Sequence, residues 1–117
     1  MFNHESPRRG FEFVAPKITS SAVQIKLGLE KKQFLGNLNA KRDWGHAKEY
    51  VEAMWPMPQP DLPGDWVIAT GEAHTVQEVV EFAFSHLGLD YHDHVTLDPH
   101  LLRPGEIHSL LGNPAKA

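Results

Sequence analysis

The chain of 117 residues contains no cysteine, which excludes disulfide bonds, thiolate metal sites and cysteine nucleophiles together. No apolar run approaches the roughly 20 residues of a membrane-spanning helix, and the first residues lack the basic and apolar regions of a signal peptide. The 11 basic residues are scattered and the formal net charge is -4, whereas nucleic-acid-binding modules gather a basic excess into a patch. We therefore expect a soluble, cytoplasmic protein with neither a nucleic acid nor a membrane as partner.

Glycine is present but widely spaced. The nine glycines lie at positions 10, 28, 36, 45, 64, 71, 88, 105 and 112, and no two are closer than seven residues. A dinucleotide fingerprint or a P-loop needs glycines about two to five residues apart, because the backbone must approach a phosphate closely. Neither motif exists in these residues, so a nucleotide would be held by side chains or by another chain's loop.

The spacing of apolar residues predicts a mixed α/β fold built from short elements. Three or four helices and three short strands are expected. The first predicted helix is opened by Pro16 and stopped near Gly28. The second is capped by Asp43 and carries an apolar stripe of Trp44, Ala47, Val51, Met54 and Trp55. The third opens on a Thr75–Glu78 capping box and stops at Gly88, and the last covers 104–111. The predicted strands are 31–36, 66–69 and 94–97, and four prolines between 56 and 63 predict an extended link.

Arginines stand at three separate loop or helix entrances in this acidic chain. Arg8 and Arg9 follow a polar loop, where a solvated surface turn is favoured over a phosphate clamp. Arg42 precedes a predicted helix N-terminus, so it either binds an anion there or pairs with a neighbouring side chain, Asp43 or Trp44. Arg103 precedes a proline-initiated turn. Together the three positions suggest a polyphosphate ligand.

Eight histidines raise the possibility of a metal site. His92 and His94 would share a strand face, with His86 or His100 as further ligands. A histidine-rich surface loop is the favoured interpretation, because a metal site needs three or four convergent ligands and no helical HExxH pattern is present. No serine stands in a GxSxG context either. We expect no metal ligand and no catalytic residue within the chain.

Long blocks of the sequence resemble the GDP-mannose 4,6-dehydratase family of extended short-chain dehydrogenase/reductases. The blocks are NHESPRRG at 3–10, KIT at 17–19, LGNLNAKRDWGHAKEYVEAMW at 35–55, VIATGEAHTVQEVVEFAF at 67–84 and LRPGEIHSLLGNPAKA at 102–117. The resemblance covers nearly the whole chain but only the C-terminal, substrate-binding part of the family's fold. It implies one substrate-binding domain over 1–117, without the family's glycine-rich Rossmann half.

The family uses NADP to convert GDP-mannose into the 4-keto-6-deoxy sugar, by oxidation at C4, loss of water across C5 and C6, and hydride return to C6. The family's Tyr-x-x-x-Lys pair is absent here, because the residue four positions after Tyr50 is Met54 and the residue four positions after Tyr91 is Val95, neither of which is a lysine. The resemblance therefore implies a chain that is not catalytic alone and binds little or no NADP by itself.

The resemblance also assigns binding residues. His4 and Arg9 match residues that approach NADP from the substrate side. Five positions match contacts to the GDP part of GDP-mannose: Arg42 and Arg103 at the pyrophosphate, Lys17 and Glu106 towards the nucleoside, and Asn3.

Two kinds of partner are expected. The ligand would be GDP or GDP-mannose, bound weakly. Apolar faces left exposed would be covered by self-association or by a partner that supplies the Rossmann half. The alternative to a sugar-nucleotide-binding portion is a non-catalytic interaction or regulatory protein, or a truncated remnant, that reuses this fold.

Overall fold

The chain folds into short helices and strands, as the apolar spacing predicts. The computed structural model describes residues 1–59, 61, 64–102, 105 and 107–116. The elements in chain order are β1 (Asn3–Glu5), α1 (Val14–Lys26), β2 (Gln33–Leu35), β3 (Lys41–Arg42), β4 (Trp44–His46), α2 (Ala47–Met54), β5 (His74–Thr75), α3 (Val76–His86) and β6 (Val95–Leu97). Two 3₁₀ turns, Tyr91–Asp93 and Pro99–Leu101, flank β6. The predicted mixed α/β class is confirmed.

The chain divides into two compact units. The first unit is formed by Met1–Arg8, Lys41–His74 and Ser109–Ala117, and the second by Arg9–Ala40 and Thr75–His108. Each unit is therefore assembled from segments that are distant in sequence.

The core of the second unit lies between α1 and α3. Apolar residues recur three or four positions apart on each helix, which places them on one face. The buried side chains of these faces are Ile18, Ala22 and Ile25 on α1, and Val76, Val80 and Phe84 on α3. Burying each large side chain contributes about 1.5–3 kcal/mol relative to leaving it exposed. Six of the eight buried apolar residues that the structure describes in this unit therefore lie on these two faces.

Both helices of the second unit end where the sequence predicts. α1 begins at Val14, two residues before the predicted start at Pro16, which lies in the first turn, where its missing N–H has no intrahelical partner to lose. Gly28 follows the helix with a φ of +77°, as predicted. α3 opens on the predicted capping box: the Glu78 N–H donates to Thr75 Oγ1 at 3.1 Å, and the Thr75 N–H donates to Glu78 Oε2 at 3.1 Å. Gly88 follows α3 with a φ of +73°.

A parallel strand pair completes the second unit. β2 pairs with β6 in the register Gln33↔Val95, Phe34↔Thr96 and Leu35↔Leu97. Both strands fall inside the segments predicted from sequence, 31–36 and 94–97. Gln33 and Leu35 are buried while Phe34 is exposed, which is the alternation of a strand with one covered face.

The first unit is built around a second parallel pair, between β1 and β4. The register is Asn3↔Trp44, His4↔Gly45 and Glu5↔His46. Further backbone bonds join the Phe2 N–H to the Ile68 carbonyl at 2.9 Å and the Leu110 N–H to the Lys41 carbonyl at 3.0 Å. Neither β1 nor β4 was expected from the sequence.

Two predicted elements of this part of the chain are wrong. Residues 66–69 include the buried Ile68 but form no strand, because Phe2 gives this segment a single backbone hydrogen bond and strand pairing needs several. The expected last helix over 104–111 is also absent from the residues that the structure describes there. Gly105 and residues 107–111 are not helical, and Ser109 instead forms a β-bridge with Lys41. Pro104 and Glu106 lie outside the described residues.

The helix predicted to begin at Asp43 begins later. α2 opens at Ala47, and its N-cap is His46, whose Nδ1 accepts from the Lys48 N–H at 3.1 Å. Tyr50 is its buried residue, whereas Val51, Met54 and Trp55 of the predicted apolar stripe are exposed. The residues before Ala47 pair as β4 instead, because β1 offers them a strand edge.

Candidate functional site

Two of the expected ligand-binding residues, Asn3 and His4, lie on β1. The parallel register sets Asn3 opposite Trp44 and His4 opposite Gly45. Arg42 precedes Trp44 by two residues, so the sequence-predicted residues of the first unit come from two adjacent segments. The pairing of β1 with β4 is what brings them together.

The His4 ring is fixed by contacts within the first unit. Its Nδ1 lies 3.2 Å from the Phe2 carbonyl oxygen. Its ring packs on that of Tyr50, with the centroids 5.7 Å apart and the planes tilted by 50°. Tyr50 is 5% exposed and its ring lies against Gly45, where a Cβ would overlap it. Burial, with the carboxylates of Asp43 and Glu49 nearby, raises the pKa of Tyr50 above its ordinary value.

The Asp43 carboxylate joins three segments of the first unit. Oδ1 accepts from the Thr70 N–H at 2.8 Å and the Thr70 hydroxyl at 2.7 Å. Oδ2 accepts from the N–H groups of Gly71 at 3.0 Å and Gly112 at 3.2 Å. Burial alone would raise the pKa of Asp43, which is 1% exposed, but these hydrogen bonds hold it below its ordinary value. The predicted N-cap is therefore a tertiary anchor.

Arg42 lies at the end of β3, next to this anchor. Its side chain is half-buried, and Nη1 donates to the Lys41 carbonyl at 2.8 Å. The expectation that Arg42 directly precedes a helix N-terminus is wrong, because β4 intervenes before α2. Asp43 anchors the backbone immediately after Arg42, so the Arg42 side chain extends from the end of β3 rather than from a helix start.

Arg9 and Lys17 belong to the second unit. The Arg9 guanidinium stacks over the Phe13 ring, 3.6 Å from its centroid, which is a cation–π contact. Lys17 is exposed in the first turn of α1, and its carbonyl accepts from Gln33 Nε2 at 3.2 Å. Lys17 also lines an open groove of about 370 Å³ along α1, together with Phe11, Ser20, Ser21 and Gln24.

The remaining two expected residues, Arg103 and Glu106, lie outside the described residues. The predicted set therefore divides three ways: Asn3, His4 and Arg42 in the first unit, Arg9 and Lys17 in the second, and this pair. Tyr50 is the neighbour that sequence reasoning missed. The available signal was a tyrosine one turn after a Gly-His pair, which specifies no contact by itself.

The histidines considered as metal ligands make local contacts. His92 Nδ1 lies 2.7 Å from the Asp90 carboxylate, and the His92 ring stacks on Tyr91. His94 Nδ1 lies 3.2 Å from the Lys31 carbonyl. Within the part of the chain that the structure describes, no three potential ligands converge on a metal position. A search of the same residues for a helix long and apolar enough to cross a membrane found none.

Solved structures of known proteins share the fold of this chain. RMD from Pseudomonas aeruginosa, solved with NADPH, superposes with a TM-score of 0.84 over 97% of this chain and 37% of its own, at 18% identity. A dTDP-glucose 4,6-dehydratase from Bacillus anthracis, solved with NAD, gives a TM-score of 0.80 over 98% of this chain and 34% of its own, at 23% identity. The predicted relation to the extended short-chain dehydrogenase/reductase fold is thus confirmed, for about a third of that fold.

Sequence comparison gives the family. GDP-mannose 4,6 dehydratase 2 of Arabidopsis thaliana is 53% identical over all of this chain, and the human GDP-mannose 4,6 dehydratase is 49% identical over all of it. The chain spans about a third of the length of these relatives, 31% and 36% respectively. The family model described as GDP-mannose 4,6 dehydratase matches residues 1–117. The chain therefore belongs to the GDP-mannose 4,6-dehydratase family.

Proposed function

We propose that these residues form the sugar-nucleotide-binding portion of a GDP-mannose 4,6-dehydratase and act as one substrate-binding domain. The observation that carries the proposal is the family match over all 117 residues, at up to 53% identity with a named relative. The ligand that follows is a GDP-sugar, with GDP-mannose as the substrate.

Arg42 is the proposed pyrophosphate contact in the first unit. A guanidinium presents paired N–H donors that match phosphate oxygens, and one nitrogen of Arg42 is already oriented by the Lys41 carbonyl. Asn3 lies on β1 opposite Trp44, two residues after Arg42, and supplies an amide. Arg103 is proposed as the second pyrophosphate contact, with Lys17 and Glu106 towards the nucleoside.

His4 and Arg9 are the proposed contacts to NADP. An imidazole and a guanidinium fit a dinucleotide, which offers hydroxyls, an amide and phosphates, and both side chains are half-buried and held by aromatic rings. When bound, NADP supplies the hydride acceptor and donor of the reaction. Within this chain, His4 and Arg9 would bind and orient it.

The chemical steps are proposed to need groups beyond these residues. The 117 residues have no glycine-rich loop and no Tyr-x-x-x-Lys pair. We expect the chain on its own to give no NADP-dependent conversion of GDP-mannose to its 4-keto-6-deoxy product. Mass spectrometry of the sugar nucleotide after incubation measures this, and turnover that survives repurification would contradict it.

Residual GDP binding is the direct test of the proposed site. Exposed charged contacts contribute about 1 kcal/mol or less each, and association loses about 4 kcal/mol or more of translational and rotational freedom. The dissociation constant for GDP should therefore be no lower than about 1 mM. Ligand-observed NMR with GDP measures it, and Arg42→Ala or Arg103→Ala should weaken binding severalfold.

Lys48→Ala is the matched control, because it removes one positive charge from the exposed face of α2. Equal losses of GDP affinity in Lys48→Ala and Arg42→Ala would show that the loss comes from the change in net charge and not from a contact at Arg42. If GDP gives no binding signal at several times a dissociation constant of about 1 mM, the proposal of a sugar-nucleotide-binding portion loses its support.

A further inference from the structure

The contacts of His4 determine which imidazole nitrogen carries the proton. Nδ1 lies 3.2 Å from the Phe2 carbonyl oxygen, and a carbonyl can only accept a hydrogen bond. Phe2 is itself fixed, since its N–H donates to the carbonyl of buried Ile68 at 2.9 Å. Nδ1 is therefore protonated, and in the neutral ring Nε2 carries the lone pair. Nε2 has no hydrogen-bond partner within the described ranges.

Tyr50 determines where this ring lies. The β1–β4 register sets His4 opposite Gly45, and the Tyr50 ring fills the space that a side chain at position 45 would need. His4 packs on the same ring from β1. Tyr50 is 5% exposed, so its ring is closely packed by the surrounding residues. A shift of Tyr50 would remove one of the two contacts that hold the imidazole.

The Tyr50 hydroxyl is not what holds His4. Its oxygen is buried and forms no hydrogen bond with any residue that the structure describes. The ring alone makes the contact, so Tyr50→Phe retains the packing and Tyr50→Leu removes it. This pair of variants separates the ring from the hydroxyl.

We propose that Tyr50 and the Phe2 carbonyl are positioning groups that hold His4 as the Nδ1–H tautomer, so that Nε2 accepts a hydrogen bond from a donor group of the dinucleotide. This inference rests on the proposed function, in which His4 contacts NADP. A phosphate oxygen only accepts, so a neutral Nε2 does not bind it. The recognised group is therefore an O–H or N–H donor. On the substrate side of NADP, where the family resemblance places His4, the donors are the ribose hydroxyls and the carboxamide of the nicotinamide riboside.

The tautomer is measured by long-range ¹H–¹⁵N NMR of the imidazoles at pH 8, where an ordinary imidazole is neutral. His4 is assigned by its loss in His4→Gln. One net intramolecular hydrogen bond favours Nδ1–H by about fivefold. His46 is an internal control of opposite sign, because its Nδ1 accepts from the Lys48 N–H and its proton must lie on Nε2.

The variants test the role of Tyr50. Tyr50→Phe should leave the His4 tautomer ratio unchanged, and Tyr50→Leu should lower it by at least about threefold, since the Phe2 bond alone no longer fixes the ring. If Tyr50 only stabilised the fold, Tyr50→Leu would change the unfolding midpoint but not the His4 tautomer ratio in the folded protein. An unchanged ratio in folded Tyr50→Leu overturns the proposal. If Tyr50→Leu does not fold, a wild-type His4 found mainly as Nε2–H overturns it equally.

Three probes test what Nε2 binds: NADP, nicotinamide riboside and inorganic phosphate, each at millimolar concentration. NADP and the riboside should shift the Nε2 resonance and phosphate should not. A shift with phosphate alone overturns the proposed donor. Free nicotinamide and methyl ribofuranoside then distinguish the carboxamide from the ribose hydroxyls. No response to NADP at any His4 resonance contradicts the proposed NADP contact, whereas the tautomer ratio still reports on Tyr50.

Discussion

At the scale of single residues, Asp43 has the largest predicted effect on stability. Its carboxylate accepts four hydrogen bonds from segments 27 to 69 residues away. Asp43→Asn keeps the shape but replaces one oxygen with a donor, which leaves buried N–H groups without an acceptor. We expect a loss of about 3 kcal/mol in the free energy of unfolding.

Urea denaturation followed by circular dichroism measures this loss. Asp65→Asn is the control, because Asp65 belongs to the same unit and its side chain is exposed. The control should change the unfolding free energy by no more than about 0.5 kcal/mol. Equal stability of the two variants would contradict the anchoring role of Asp43.

The depressed pKa of Asp43 also predicts how stability depends on pH. The folded protein holds this carboxyl below its ordinary pKa, so it binds a proton less readily than the unfolded chain does. Its contribution is fully present above the unfolded pKa of about 3.9 and is lost as the pH falls through the lower folded pKa.

Urea midpoints at pH 7, 5, 4 and 3 should therefore fall in the acid range, and more steeply in the wild type than in Asp43→Asn. Parallel curves for the two proteins would show that other carboxyl groups cause the decline.

The sequence predicted the residue types of the site better than their environments. The type of contact at Asp43 was expected, a carboxylate accepting backbone N–H groups, but not its partners. An N-cap is local and visible in sequence, whereas Thr70 and Gly112 reach Asp43 only through the fold. The role of Tyr50 was not predicted for the same reason, because its contact with His4 depends on the register of β1 with β4.

At the scale of elements, the predictions succeeded where local signals agree. α1 and α3 combine helical spacing with a glycine stop, and α3 adds a capping box. The prediction for the segment before α2 was wrong, because Trp44 and Ala47 fit a helical stripe while Trp44–His46 pair with β1. A strand exists only where another strand offers its edge, and a distant partner is not visible in local sequence.

The capping box gives a prediction at this scale. Thr75→Ala removes the acceptor of the Glu78 N–H and should lower the free energy of unfolding by about 1 kcal/mol. Thermal unfolding measures the loss. Thr19→Ala is a suitable control, because the Thr19 hydroxyl bonds within α1 to the Pro16 carbonyl and is exposed. A control that loses as much as Thr75→Ala would argue against capping as the cause.

At the scale of the whole molecule, exposed apolar side chains are the feature from which we predict the oligomeric state in solution. Val51 and Met54 on α2 and Trp55 at its C-cap recur at helical spacing, and Trp55 is 76% exposed. A stripe of this kind normally packs against another surface. In relatives about three times as long, more chain is present to supply such a surface.

Self-association of the 117 residues is the consequence that we predict. Sedimentation equilibrium between about 1 and 100 μM should show a mass above the monomer that falls on dilution. Trp55→Glu places a charge at the most exposed residue of the stripe and should weaken the association by at least about tenfold, since burying an unpaired charge opposes packing. Ser85→Glu adds the same charge to an exposed position on α3 and should leave the association unchanged. A monodisperse monomer across this range would contradict self-association, and equal effects of the two variants would remove the α2 stripe as the contact surface.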